Sequence, residues 1–293
     1  MNLRPSGHHW GLHRALRWLS SVSVAAIVLA GVTTPVAAEP PHWDYSSHGG
    51  ADGWGELTEE GSDHVAFPDC NFAEQSPVNI EGVTPLDSGL SVDYEPTPLD
   101  VVNNGHTIQV NYKAGSAMVV DGKTYELLQF HFHSPSEHEL DGNQTPLEGH
   151  FVHQSADGEY AVLGVMIVAG NPNTAFQEVL DVMPEEEGEV SADGSIDGDD
   201  LLPERLSYYA YDGSFTTPPC TEGVKWHVLS EPIEASLVQI AEFRSLAFLS
   251  HEGEFVGNAR PVQPLNGRLG TPESTPVITP PSTGNAGLAA TRP

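Results

Sequence analysis

The stretch Gln129-Phe-His-Phe-His133 constrains this chain more than any other. Aromatic and polar residues alternate without a break, a period that fits a β-strand and not a helix. The two faces of such a strand differ. Phe130 and Phe132 point into a core, while Gln129, His131 and His133 point the other way. The two imidazoles then have Cβ atoms about 7 Å apart, close enough to share one ion. A His-x-His pair is often no more than two polar residues on a strand. Here its neighbours are aromatic, and an unpaired imidazole buried among them is costly.

A third ligand is at hand. His150 sits in the next expected strand, Glu148-Gly-His-Phe-Val-His153, which a neighbouring strand can bring opposite the pair. Three neutral nitrogens and one open position are the donor set of a catalytic zinc site, not a structural one. Gln129 shares the face of His131, and Glu148 that of His150. Each can accept from the non-ligating ring nitrogen and so fix the tautomer. His153 faces away from His150 and reads as a satisfied core histidine. His138, His227, His48, His64 and His251 read as ordinary. The spacing of His131, His133 and Glu137 also opens the cupin metal motif. That motif wants Gly six residues before the first His and seven after the Glu, where Tyr125 and Gln144 stand, so it fits poorly.

The surrounding texture is strand-rich. From about Val101, alternating or apolar runs at 106–111, 127–133, 149–154 and 160–168 are separated by turn signals. These are Asn104-Gly105, Asp121-Gly122, Asp141-Gly142 and Asp157-Gly158. Helices are few. One is expected over 174–182 and one over 234–246, the second with Leu237, Ile240 and Ala241 on one face. Residues 39–65 read as irregular. Residues 184–200 hold eight acids and read as a solvated surface insert. A calcium loop is the competing reading, but the spacing does not match the twelve-residue loop. By itself the texture says mainly β with some helix.

The N-terminus reads as a secretory signal: Arg4, Arg14 and Arg17, then a mostly apolar run over 19–32, then Val36-Ala37-Ala38. Cleavage is expected after Ala38, so residues 1–38 are a signal peptide. A retained signal anchor competes with this, but the apolar run is short for a bilayer. Export suits the two cysteines, Cys70 and Cys220. In an oxidising compartment they are expected to form one disulfide, two free buried thiols being the alternative. The domain is expected over 39–270. Residues 271–293, rich in Thr, Pro and Ser, read as a disordered tail. The chain has 11 Lys+Arg against 41 Asp+Glu, a formal net charge of -30, and the leader removes three arginines and no acid. Such a field repels phosphate backbones, which argues against nucleic acid and anionic membranes as partners. It suits a salty or alkaline exterior, where screening softens self-repulsion. Nothing in the sequence separates periplasm from full secretion, or a monomer from a homodimer.

Over residues 42–265 the chain resembles the α-class carbonic anhydrases. The segments that carry the resemblance appear in order. They are His42-Trp43-x-Tyr45, Gln75-Ser-Pro-Val-Asn-Ile80, Asn103-Asn-Gly-His106, Gln129 to His138, and Glu148-Gly-His150 with Val152-His153. After these come Ala161-Val-Leu-Gly164, Tyr211-x-Gly-Ser-Phe-Thr-Thr-Pro-Pro-Cys220, Trp226, and Asn258-x-Arg-Pro-x-Gln-Pro-Leu265. The resemblance implies a single α+β domain, mainly β: a large twisted, mostly antiparallel central sheet with short peripheral helices. It implies Zn2+ on His131, His133 and His150, with Gln129, Glu148 and Asn258 behind them. CO2 and bicarbonate are the implied substrates, interconverted by zinc-bound hydroxide. Thr216, bonded to Glu137, would orient that hydroxide. Val152, Val162, Phe215 and Trp226 would form the CO2 pocket, with Thr217 on the same wall as Thr216. His106 would shuttle the proton, with Tyr45 and Asn104 holding the water chain. Departures from the family pattern are Asp44 for Gly, Gly149 for a larger apolar residue, Trp54 without a preceding His, and Phe215 for Leu.

Overall fold

Alternation in the central strands dictates a sheet with one apolar and one mixed face, and the computed structural model has it. It describes residues 41–46 and 50–269, so the expected signal peptide at 1–38 and the expected tail at 271–293 lie outside the described residues. An 11-stranded sheet dominates. Its main path runs Gly188–Ile196, Thr97–Asn103, Ile108–Asn111, Lys123–His133, Leu147–Ser155, Tyr160–Ala169, Glu222–Leu229, Tyr208–Ser214. Neighbours pair antiparallel except where Tyr160–Ala169 meets Glu222–Leu229 and Ile233–Ala235 in parallel. The expected mainly-β fold with a mostly antiparallel central sheet is what the chain adopts.

The apolar face carries the larger core. Phe130, Phe132, Phe151 and Leu163 are at most 1 % exposed there. The Phe132 ring meets Phe176 edge-on at 4.9 Å between centroids, and Phe243 at 6.1 Å. Phe176 and Phe243 belong to the helices Thr174–Leu180 and Leu237–Phe243, which therefore cover this face. Gly149, on the same side, leaves ordinary van der Waals room for a β-carbon, the nearest atoms being Phe132 carbons at 3.7 Å. With one face filled, the histidine face is left to form a cavity.

Three expectations need correction. The second helix does not begin at Glu234. Ile233–Ala235 is a strand beside Ile167–Ala169, and Ser236 stops it by capping a helix that starts at Leu237. The Ser236 Oγ accepts from Gln239 N, and Gln239 Oε1 accepts from Ser236 N, a reciprocal box that fixes the first turn. As a result Leu237 is 72 % exposed and Ala241 is exposed, and the buried face is Gln239, Ile240 and Phe243. Second, the acidic segment is not only a solvated insert. Gly188–Ile196 is the edge strand of the large sheet, paired with Thr97–Asn103 and exposed over most of its length. Its charges suit an edge that must not pair further. Third, strands begin before Val101, at Leu90–Asp93 and Thr97–Asn103.

Candidate metal centre

Pairing in register brings the histidines together. His131 stands opposite His150, and His133 opposite Glu148. The ring centroids of His131 and His133 are 5.1 Å apart, those of His131 and His150 5.3 Å, and those of His133 and His150 4.5 Å. One nitrogen from each lies within 4.8 Å of the others.

The outer nitrogens are all held. His131 Nδ1 pairs with Gln129 Oε1 at 2.8 Å, His133 Nδ1 with the Asn258 carbonyl at 2.7 Å, and His150 Nε2 with Glu148 Oε1 at 2.9 Å. Each partner accepts, so each outer nitrogen carries the proton and each inner nitrogen presents a lone pair. His133 and His150 are 1 % exposed, while His131 keeps some solvent contact. Burial, with the two neighbouring imidazoles, drives His131 well below the ordinary histidine range. Burial brings His133 down to about 4. Burial also lowers His150, against the pull of Glu148. The three rings are therefore neutral near pH 7. His133 Nε2 is buried without a hydrogen-bond partner, an orphaned polar atom that costs stability unless something binds it. Three converging neutral imidazoles with an orphaned inner nitrogen fit a zinc ion.

A second cluster of possible ligands, His138, Glu148 and His150, does not fit one. Glu148 Oε1 is taken by His138 Nδ1 at 2.7 Å and by His150, and its Oε2 by the backbone N–H groups of Glu137 and His138. His138 Nε2 bonds the Tyr211 hydroxyl at 2.6 Å, which donates on to Ser76. Burial alone would push the Glu148 carboxyl up, but His138 and His150 hold it well below the usual carboxylate range. His138, which reads as ordinary in the sequence, thus supports the carboxylate behind His150. No periodicity could reveal it, because it lies beyond the strand end in a loop threaded around Glu148.

Glu137 Oε1 accepts from Arg260 N at 2.8 Å. Its Oε2 faces inward, 3.5 Å from His133 Nε2 and 3.8 Å from His150 Nδ1. Burial raises the Glu137 carboxyl to about 7, while the Thr216 hydroxyl and the Arg260 N–H oppose the rise. Oε2 still lacks a well-formed hydrogen bond, so Thr216 stands near it without a tight contact.

A cavity of about 140 Å³ opens on the cluster, lined among others by Tyr45, His106, Gln129, His131, His133 and Thr217. Val152, Val162 and Trp226 are buried together in an apolar cluster with Phe215 packed against it, and they do not line that cavity. The Trp226 ring nevertheless stands 4.9 Å from that of His150, and Phe215 meets Tyr160 edge-on at 5.0 Å. His106 stacks on Trp43 with centroids 3.8 Å apart and planes 11° from parallel. Asn104 is exposed, and its Oδ1 accepts from the backbone of His106 and Thr107. That oxygen holds the turn. Asn258 joins the two regions: its Nδ2 donates to the carbonyls of His106 and Phe132. Cys70 and Cys220 are bonded to each other, which suits an oxidising compartment.

A family profile described as eukaryotic-type carbonic anhydrase matches residues 58–269. The carbonic anhydrase of Neisseria gonorrhoeae is 42 % identical over 250 residues, 84 % of this chain and 94 % of that protein. The α-carbonic anhydrase of Thermovibrio ammonificans, solved with the inhibitor sulfanilamide, superimposes with a TM-score of 0.70 at 43 % identity, covering 78 % of this chain and 97 % of the other. Dioscorin, solved with ascorbate, superimposes with a TM-score of 0.68 at 29 % identity, over 78 % and 96 %.

Proposed function

Because the chain belongs to the α-class, eukaryotic-type carbonic anhydrase family, whose enzymes hydrate CO2, we propose that it does so with zinc on His131, His133 and His150 and with His106 as proton carrier. The observation that carries this reading is the convergence of three neutral imidazoles around the unpartnered His133 Nε2. A zinc ion bound there supplies a Lewis acid that makes hydroxide available near neutral pH, carbonic anhydrase itself being the reference case for a water pKa of about 7.

The chain's own groups do the rest. Gln129, Glu148 and the Asn258 carbonyl hold the ligand rings and their tautomers. With Glu137 Oε1 tied to the Arg260 backbone, Oε2 is left for the Thr216 hydroxyl. Once that proton is committed to Glu137, the Thr216 oxygen can only accept. It therefore selects the orientation of an attacking water or hydroxide, turning a lone pair toward the carbon of CO2. CO2 is uncharged and needs no polar anchor, so the apolar cluster of Val152, Val162, Phe215 and Trp226, which reaches the His150 ring behind the cavity, is the surface against which we place it, with Thr217 at the cavity edge. Bicarbonate is an anion, and the acidic surface favours its departure. The proton left behind must reach buffer. His106, with Tyr45 beside it on the cavity wall, is the titratable group placed to carry it.

We also place the mature protein outside the cytoplasm, in periplasm or extracellular space. The disulfide and the leader sequence support this. Among the described residues, no helix is long and apolar enough to cross a membrane.

Stopped-flow CO2 hydration across pH, before and after zinc is stripped and restored, tests the reading. A fast zinc-dependent rate rising through one ionisation near pH 7 is expected. A negligible rate in folded, zinc-loaded protein would turn the reading toward a binding module on the same fold. Phe215 gives a finer test. Leu in its place loosens the apolar cluster, so Phe215→Leu should speed hydration at sub-saturating CO2, by less than the roughly 10-fold that a whole methylene is worth in a tight pocket. An unchanged or slower rate would show that the ring does not narrow the path of CO2.

A further inference from the structure

The acidic segment that the sequence leaves without a role is brought by the fold against the turn that carries His106. Antiparallel pairing sets Gly188 opposite Asn103, and Asn103 Nδ2 donates to the Pro184 carbonyl at 3.0 Å. Between these two ties run Glu185, Glu186 and Glu187, held beside residues 103–106. Glu187 lies over Gly105: a β-carbon built there would stand 2.8 Å from Glu187 Oε1 and 3.3 Å from its Cγ. Gly105 has φ +81, so only glycine suits both the left-handed turn and this close cover. The three glutamates, with His42, Asp44, His106 and His251, line a vestibule of about 370 Å³. Tyr45 and His106 belong both to this vestibule and to the 140 Å³ cavity over the histidine cluster. His106 therefore has one side toward the reaction and one toward carboxylates.

We propose that Glu187, seconded by Asp44, is a positioning residue for proton export: its carboxylate stabilises the protonated His106 at the outer mouth until a buffer base takes the proton. The proposal rests on the reading of His106 as the carrier. Each hydration releases one proton. It forms an N–H bond on His106, and that bond breaks when the buffer base accepts it. No bond to Glu187 is made or broken. The groups facing the ring are few. Trp43 stacks on it, His42 stands 6.3 Å away between centroids, and Asp44 and Glu187 supply negative charge. Burial and His42 disfavour the protonated ring, while Glu187, then Asp44, favour it. Among the described residues, no lysine or arginine lines the vestibule.

The test is Glu187→Gln in the full zinc-loaded protein, which keeps the cover on Gly105 and removes the charge. NMR titration of His106 should show its pKa displaced downward. In weak buffer kcat should fall roughly threefold, the scale for one partly screened charge beside a proton carrier. Because the hydration step itself needs no export, kcat/KM should hold, and excess imidazole should restore kcat. Near 1 M salt, where the Debye length is about 3 Å, variant and parent should converge. In a His106→Ala background the substitution should add nothing. Asp193→Asn, on the same edge strand outside the vestibule, should change neither readout. An unmoved His106 titration, or kcat and kcat/KM falling in parallel, overturns the proposal. A parent protein that binds zinc but does not hydrate CO2 sinks the carrier reading and this proposal with it. An active parent with an unmoved titration sinks the proposal alone.

Discussion

Replacing His131 with alanine is expected to abolish zinc binding and CO2 hydration together. One of its nitrogens is one of three that lie within 4.8 Å of one another, and among the described residues no nearby group can substitute. Gln129, behind it, would be left without its imidazole partner, with only an amide to offer. Glu137 points its Oε2 inward but is held by Arg260 through the other oxygen. Losing an outer partner costs about 10–100-fold in metal affinity. Losing a ligand should cost more than that, so dialysed His131→Ala should hold no stoichiometric zinc. Gln129→Ala makes the graded control, with weaker zinc but activity restored by excess metal. Metal content by mass spectrometry and stopped-flow rates read both. A His131→Ala protein that kept full zinc and full rate would refute the site.

How much of this centre the sequence discloses depends on the kind of geometry involved. His131, His133 and Gln129 are legible because strand alternation has period two and places them on one face. His150 and Glu148 follow from the same rule on the next strand. The register that sets His131 opposite His150 is the one that lets both face a single ion. The rule ends where the strand ends. His138 is held by backbone and side-chain bonds to Glu148 and Tyr211, and no spacing encodes a loop path. The backbone carbonyl of Asn258, which orients His133 from 125 residues away, carries no side-chain signature; only the family resemblance pointed there.

The errors have the same origin. Apolar spacing suggested that Leu237 and Ala241 share a buried face. The Ser236 capping box instead fixes where the helix starts, and so which residues turn inward. The acidic composition of 184–200 correctly implies exposure. It is silent about backbone pairing along one side, which is what puts Glu187 over Gly105, the residue before His106. Composition reports how a segment meets water, while register decides what it stands next to.

The largest expected effect on stability belongs to the bond between Cys70 and Cys220. The unreduced, denatured protein should show no free thiol by mass spectrometry. The two residues are 150 apart in sequence, so in the chain-entropy model the closed loop is worth roughly 5 kcal/mol, with typical measured values of about 2–4. A Cys70→Ser, Cys220→Ser double variant should lose that much in urea unfolding. Its melting temperature should fall by about 10 °C, at roughly 2–4 °C per kcal/mol for a chain of this size. The effect should reach the reaction as well. The Cys70 carbonyl accepts from Arg260 Nη2, the Cys220 carbonyl accepts from Gln75 Nε2, and Arg260 holds Gln75 Oε1. The cross-link thus closes the cage around Arg260, whose backbone N–H fixes Glu137, and it ends the loop that carries Thr216. The three histidines proposed to hold zinc lie on the central strands, and none of their ring hydrogen bonds goes to Arg260, Gln75 or the cysteines. Well below its melting point the variant should therefore keep its zinc while hydrating CO2 several-fold more slowly, as expected when an orienting group is displaced and not the metal. Unchanged stability would mean that the denatured chain gains little freedom when the bond is removed. Parallel loss of zinc and rate would mean that the bond supports the ligand strands, and not the loop that orients the attack.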